Sequence, residues 1–396
     1  MSSIEDRLKD AMAAKAETVR DDGRPRALPA PRRRHPLRDR WGVPALVAAA
    51  IVTVVAGTAV GVRGTSSPTP AVRPTPSGPG ADPASPPIED VWPDAVHEIP
   101  VKAPGGRTFI PDVFVSDRVV VGRGHTGNRL DGIWSYDLDK RAFARIAPLK
   151  DWSVGNDPLV FGDGVVAWSA FRDGMTEIWT VPVMGGIPRR IASFRGVLGP
   201  QNTYEGITLA IADGMAVWSP ANGGVYRVPL KGGRPTLYKE TKGYRLLTWP
   251  WAGRPDRVSI AEEPVDRPME HLIDVRTGER VDAVPPPGRE GWSYCGVRWC
   301  YNGGEVWRRD GTGLRRLPGT GSTRLYSERF ALISRHRPDG TSAIAVHDIS
   351  TGRTGVLGIH TTGMNVKPFP TVHLEDGLFW YRRGSTQVVV NLSGIR

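Results

Sequence analysis

Cys295 and Cys300, in the stretch SYCGVRWCYN, are the only cysteines of this 396-residue chain. Thiols this close can form a disulfide if the chain folds back between them, or can supply two ligands to a metal. A zinc site would need two further ligands, and none lies nearby in sequence. A disulfide across a tight turn is therefore the expected chemistry, and it calls for an oxidising compartment. The eight histidines, His35, His97, His125, His271, His336, His347, His360 and His373, show neither H-x-x-x-H nor H-E-x-x-H spacing. There is no G-x-S-x-G elbow and no G-x-x-x-x-G-K-[ST] phosphate loop. The sequence therefore assigns no catalytic residue, no metal ligand and no cofactor. A hydrolase or lyase would have to gather carboxylates from separate parts of the chain, which spacing alone does not reveal.

A second set of side chains suits recognition rather than catalysis. Arg123, His125, Arg129, Trp152, Arg172, Tyr204, Trp249, Trp251, Trp292, Arg335, His336 and Arg337 combine arginines with large aromatics, the composition of interaction surfaces. Whether they meet depends on the elements that carry them.

Those elements repeat. GDGVVAWSAFRDGMTEIWTVPVMGGIPRRIASF at Gly162 to Phe194 and ADGMAVWSPANGGVYRVPLKGGRPTLY at Ala212 to Tyr238 are the same unit: strand, polar loop, strand with an early aromatic, Gly-rich turn, strand. Aligned third strands begin at Ile133, Ile178, Val225, His271, Val306, Ala345 and Val388, which gives seven units about 42 residues apart. Four-stranded propeller blades have this period, so the fold class is all-β: a seven-bladed β-propeller, with six blades as the alternative. Gly185-Gly186, Gly232-Gly233, Thr277-Gly278, Asp310-Gly311 and Thr351-Gly352 fall where hairpins between third and fourth strands need positive φ. Trp134, Trp168, Trp179, Trp218 and Trp307 then read as packing residues between blades. The recognition side chains fall in loops between second and third strands or between blades, which gather on one rim. The inner strands near Pro111 to Val115, Pro158 to Phe161 and Thr208 to Ile211 are mostly apolar, which disfavours a catalytic channel. The last unit lacks its own fourth strand, and VHEIPV at Val96 to Val101 is placed to supply it and close the ring.

The run DGMTEIWTVPVMGGIPRRI resembles the TolB-type, or WD40-like, propeller repeat over most of residues 110 to 396, most strongly in the second and third units. The usual Ser-Pro-Asp-Gly turn is replaced by Phe161-Gly162-Asp163-Gly164. The resemblance implies a propeller and leaves its partner open.

Upstream, Val43 to Val62 is a run of twenty uncharged residues, long enough as a helix for about 30 Å of hydrocarbon. Arg32, Arg33, Arg34, Arg38 and Arg40 precede it and only Arg63 follows closely, so the positive-inside rule puts the N-terminus in the cytoplasm and the propeller outside. The organisation expected is a basic arm with a short amphipathic helix at 1–42, a transmembrane helix at 43–62, a Pro/Ser/Thr/Gly-rich disordered linker at 63–95, and the propeller at 96–396. Gly57 and Gly61 form a G-x-x-x-G that could support a weak homodimer. Arm, span and external domain look like the layout of actinobacterial anti-sigma regulators, although the His-x-x-x-Cys-x-x-Cys zinc motif is absent. The net charge of +11 draws 11 Lys/Arg against 7 Asp/Glu from the first 42 residues and is otherwise spread thinly, which argues against nucleic acid. The reading that follows is a non-catalytic, membrane-anchored extracytoplasmic module binding a protein, peptide or envelope polymer. A transmembrane regulator with a propeller sensor is the alternative, and a propeller hydrolase or lyase the next.

Overall fold

The computed structural model describes residues 85–127, 129–149, 157–198, 204–255, 269–320, 325–336, 341–362 and 377–396. The segments expected to form the arm and the membrane span lie outside these residues, as do Gly57 and Gly61. Among the described residues no helix is long and apolar enough to cross a membrane.

Local chemistry sets the hairpins. Asp163-Gly164, Asp173-Gly174 and Asp213-Gly214 have positive φ at both residues, +48 and +74°, +51 and +77°, and +56 and +71°. That is the backbone of the two-residue turn whose twist matches paired strands, and Asp-Gly is its preferred sequence. The turns between third and fourth strands behave as expected: Gly185 and Gly186 have φ of +101 and +153°, and Gly278, Gly311 and Gly352 are also positive.

Seven antiparallel sheets result. Blade 1 comprises Arg107–Ser116, Val119–Thr126, Arg129–Asp137 and Ala142–Pro148, with Lys102–Ala103 on its inner edge. Blade 2 is Val160–Gly162, Val165–Arg172, Met175–Pro182 and Arg189–Arg195; blade 3 is Ile207–Ala212, Met215–Pro220, Tyr226–Pro229 and Thr236–Leu237. Blade 4 is Arg245–Thr248, Trp251–Arg254, His271–Asp274 and Arg280–Asp282; blade 5 is Tyr294–Cys295, Trp299–Asn302, Glu305–Arg308 and Arg315–Arg316. Blade 6 is Leu325–Tyr326, Phe330–His336, Thr341–Asp348 and Thr354–Thr362. Blade 7 contains Leu378–Arg383 and Thr386–Asn391, and its outer strand is Val96–Pro100 from the other end of the domain. Val96 pairs with Val390, Glu98 with Val388 and Pro100 with Thr386, so the two ends of the propeller share one sheet.

The core is divided into seven clusters, one between each pair of neighbouring blades, and this closes the ring. Ile99, Phe109, Trp134 and Trp380 lie between blades 7 and 1. Trp168 stands between blades 1 and 2, Trp218 between 2 and 3, and Leu246 with Ile273 between 3 and 4. Trp168, Trp218 and Trp307 are at most 1% exposed, in accord with their reading as packing residues; Trp179 is only half-buried. Among the described residues, the cluster between blades 4 and 5 is the smallest, with Cys295, Cys300 and Trp307 as its buried members.

Residues 85–95 differ from the disordered linker that their prolines suggest. Ile88–Val91 forms a helical turn, and Ile88, Val91, Trp92 and Ala95 are buried against blades 6 and 7. Trp92 meets Phe330 edge to face at 6.1 Å. Arg383 bonds Glu89 and, at 3.0 Å, Glu98, holding this segment and the closing strand on blade 7. The folded unit therefore includes these residues, because four apolar side chains at helical and turn spacing outweigh the proline content.

Candidate functional site

The inner strands and turns of all seven blades surround one central cavity of about 790 Å³. Blade 1 contributes Val113 and Phe114, blade 2 Phe161, and blade 3 Ile207 and Thr208. Blade 4 contributes Arg245, Trp249 and Trp251, blade 5 Tyr294 and Arg298, blade 6 Ser327 and Glu328, and blade 7 Gly377 and Ser393. The inner strands are as apolar as their sequences indicate. The charge comes from strand ends and turns.

Glu328 occupies a turn of particular interest. Ser327-Glu328 joins the first two strands of blade 6, where blades 2 and 3 have Asp163-Gly164 and Asp213-Gly214. Both residues adopt the left-handed region, with φ of +49 and +53°, at a cost of about 1 kcal/mol or more each for residues with a side chain. A carboxylate thus stands where its sister blades carry glycine. It accepts the Tyr294 hydroxyl at 3.1 Å and the Arg298 amide at 2.9 Å, tying blade 6 to blade 5 at the cavity wall.

A second polar group lines another part of the cavity. Asp157 accepts the Ser169 hydroxyl and, at 3.4 Å, the Ile207 amide, linking blades 2 and 3. Burial raises its pKa, against the hydrogen bonds and the charge of Arg123, which lower it. Nearby, Tyr204 stacks on Phe171 with centroids 4.5 Å apart, and burial followed by the Asp157 charge pushes its phenol up to about 12.

Between blades 4 and 5 the place of an apolar core is taken by covalent and polar contacts. Cys295 and Cys300 face each other across the hairpin, with Cα atoms 4.0 Å apart, and form the expected disulfide. Arg309, 4% exposed, donates to Met269 O and Glu270 O of blade 4 and to Gly296 O of blade 5. Burial lowers its pKa to about 10.

The recognition residues expected on one rim are dispersed. Arg123 is buried, 8% exposed, and forms a two-bond ion pair with Asp112 at 2.9 and 2.7 Å inside blade 1. Asp112 sits on the neighbouring strand, so the guanidinium finds a partner in the sheet instead of reaching solvent. His125 is half-buried beside it, and burial followed by Arg123 lowers its pKa. Arg129 and Arg172 are exposed at the second-to-third strand loops of blades 1 and 2. Trp249 and Trp251 lie at the other end of blade 4, around its first turn, and line the cavity. Trp292 donates to Glu270 at 2.9 Å and packs on the disulfide cluster. Arg335 lies in the second strand of blade 6 and bonds Ser85. Trp152, Arg337 and the His336 side chain lie outside the described residues. Among the described residues, no group of three His, Cys, Asp or Glu side chains gathers where it could hold a metal ion.

No protein-family model matches the chain, and no curated protein matches it by sequence. Solved structures match it in three dimensions. TolB from Acinetobacter baumannii is 10% identical, with 63% of this chain and 53% of that chain covered and a TM-score of 0.35. A puromycin hydrolase is 14% identical over 70% of this chain and 41% of its own, with a TM-score of 0.34. YCF48 bound to D1 peptide is 13% identical over 79% of this chain and 99% of its own, with a TM-score of 0.40. The chain thus spans about half the length of TolB and about four-tenths of the hydrolase.

Proposed function

We propose that this protein is a membrane-anchored, extracytoplasmic propeller that binds a protein, peptide or envelope component without transforming it, and that the ligand engages the central cavity. The observation that carries this reading is the composition of the cavity: Trp249, Trp251 and Tyr294 stand beside Arg245, Arg298 and Glu328 in a space of about 790 Å³. A concave site of a few hundred to a thousand Å³, with apolar area and a few convergent charged groups, is what recognition of a small molecule or a peptide side chain requires. Aromatics and arginines contribute most per residue to such binding. The anchor rests on the uncharged run Val43 to Val62 and the arginines before it.

The test is co-purification from crosslinked membranes, comparing the full chain with a version lacking residues 1–20. Extracytoplasmic partners unchanged by the deletion support the binding module. A cytoplasmic regulator recovered only with the full chain replaces it with the transmembrane-regulator reading. Recovery of the full chain in the soluble fraction alone removes the anchor.

A further inference from the structure

A second cavity, of about 720 Å³, lies between blades 5 and 6 and the segment beginning at Ser85. Arg315, Arg316, Arg335 and Arg353 line it, together with His347, against the single carboxylate of Asp90. Two of these arginines are held by neutral acceptors. Arg315 donates to Ile349 O and stands over Trp299 at 5.8 Å, and Arg353 donates to Val91 O and stands over Trp92 at 5.9 Å. A carbonyl and a ring face fix a guanidinium without cancelling its charge. Arg316 lies opposite Glu305 in the sheet, but both carboxylate oxygens of Glu305 are taken by Arg289 at 2.8 and 3.0 Å. Among the described residues, none of Arg315, Arg316 and Arg353 has a carboxylate within 4.0 Å. All three are exposed, whereas the buried Arg123 and half-buried Arg329 are paired with Asp112 and Asp348. The groove gathers four arginines against one lining carboxylate, a concentrated and positioned positive field.

We propose that this groove binds a linear polyanion whose repeating charge is a phosphate or a carboxylate. Guanidinium groups fork onto both kinds of oxyanion. The groove is recessed between two blades and the Ser85 segment, so a chain that can enter it fits better than a flat bilayer surface. The inference goes beyond the cavity reading, since it needs neither the central site nor the anchor.

The test uses the purified full chain, with polyphosphate and poly-L-glutamate as probes and vesicles containing phosphatidylglycerol as the alternative surface. The variant Arg315→Gln/Arg316→Gln/Arg353→Gln is compared with Arg195→Gln/Arg234→Gln/Arg382→Gln, which loses the same charge elsewhere, and with the three groove arginines changed to Lys. Wild type is expected to bind at least one polymer with salt-sensitive affinity. The groove Gln variant should bind roughly tenfold or more weakly, the Lys variant should recover most of that loss, and the control should stay within about twofold. The polymer that binds identifies the oxyanion. Equal loss in the control, or no polymer binding by wild type, overturns the proposal. Vesicle binding that depends on the groove without polymer binding overturns it in favour of a membrane surface. If the Gln variant does not fold, a Lys variant that folds yet binds no better than background also overturns it at constant charge.

Discussion

Replacing Arg309 by Met should open the weakest joint of the ring. The guanidinium bridges Met269 O and Glu270 O of blade 4 and Gly296 O of blade 5. All three lose the guanidinium, but Glu270 O keeps the Ala283 amide at 2.8 Å, so two carbonyls are left without a replacement for it. A buried carbonyl left without a partner costs about 1–3 kcal/mol, and the apolar fit of Met offsets part of that, leaving a net loss of about 2–4 kcal/mol. Among the described residues, the cluster at this interface has Cys295, Cys300 and Trp307 as its buried core, so little neighbouring packing can absorb the change. For a domain of this size the melting temperature should fall by about 3–6 °C. Arg309→Lys should lie between the two, because one ammonium cannot fork across three carbonyls. Exposed Arg280, paired only with exposed Glu240, provides the control, and Arg280→Met should cost no more than about 0.5 kcal/mol. Thermal and urea melts followed by tryptophan fluorescence supply the numbers. If Met at 309 costs less than about 1 kcal/mol, or Lys serves as well as Arg, the argument that this contact replaces a core fails.

Further outcomes follow from the same contacts. Cys295→Ala/Cys300→Ala should destabilise by about 2 kcal/mol, near the low end for a disulfide because the closed loop is short; an unchanged urea midpoint would remove the staple. Ile99→Ala, at 1% exposure in the closing strand, should cost about 2–4 kcal/mol and promote self-association detectable by light scattering; a monodisperse, fully stable variant would mean that the strand is dispensable. Burial opposes the charge of Asp348, but hydrogen bonds from Arg329, Thr351 and Ser350 outweigh it and hold its pKa below the usual carboxylate value. Its contribution is present above the unfolded-state pKa and is lost as pH falls through the folded one. Asp348→Asn should therefore flatten the loss of stability below about pH 4, and an acid melt with wild-type slope would contradict this.

The repeat was legible because each blade must bury the same strand positions, so Ile133, Ile178, Val225 and Val306, all fully buried, recur in register. The closing strand was legible for a related reason: a blade without a fourth strand leaves an edge, and VHEIPV is the segment placed to cover it. Cys295 and Cys300 needed only a local turn. The candidate site was much less legible. Glu328 reaches Tyr294 and Arg298 across 34 and 30 residues, and Arg309 reaches Glu270 across 39, distances set by the ring and not by any local pattern. Arg123 read as a rim residue because its partner Asp112 becomes adjacent only when the strands pair. Ile88, Val91 and Trp92 were masked by surrounding prolines, and acquire meaning only against blades 6 and 7.

Trp251 and Glu328 line the cavity without belonging to the main core clusters, which makes them the most direct probes of the binding role. The decisive measurement is co-purification from crosslinked membranes of the wild-type full chain beside Trp251→Ala and Glu328→Gln, each first shown to melt like wild type. The account predicts a defined extracytoplasmic partner retained by wild type and reduced roughly tenfold by either substitution. A partner recovered equally by all three proteins would contradict a cavity-centred function.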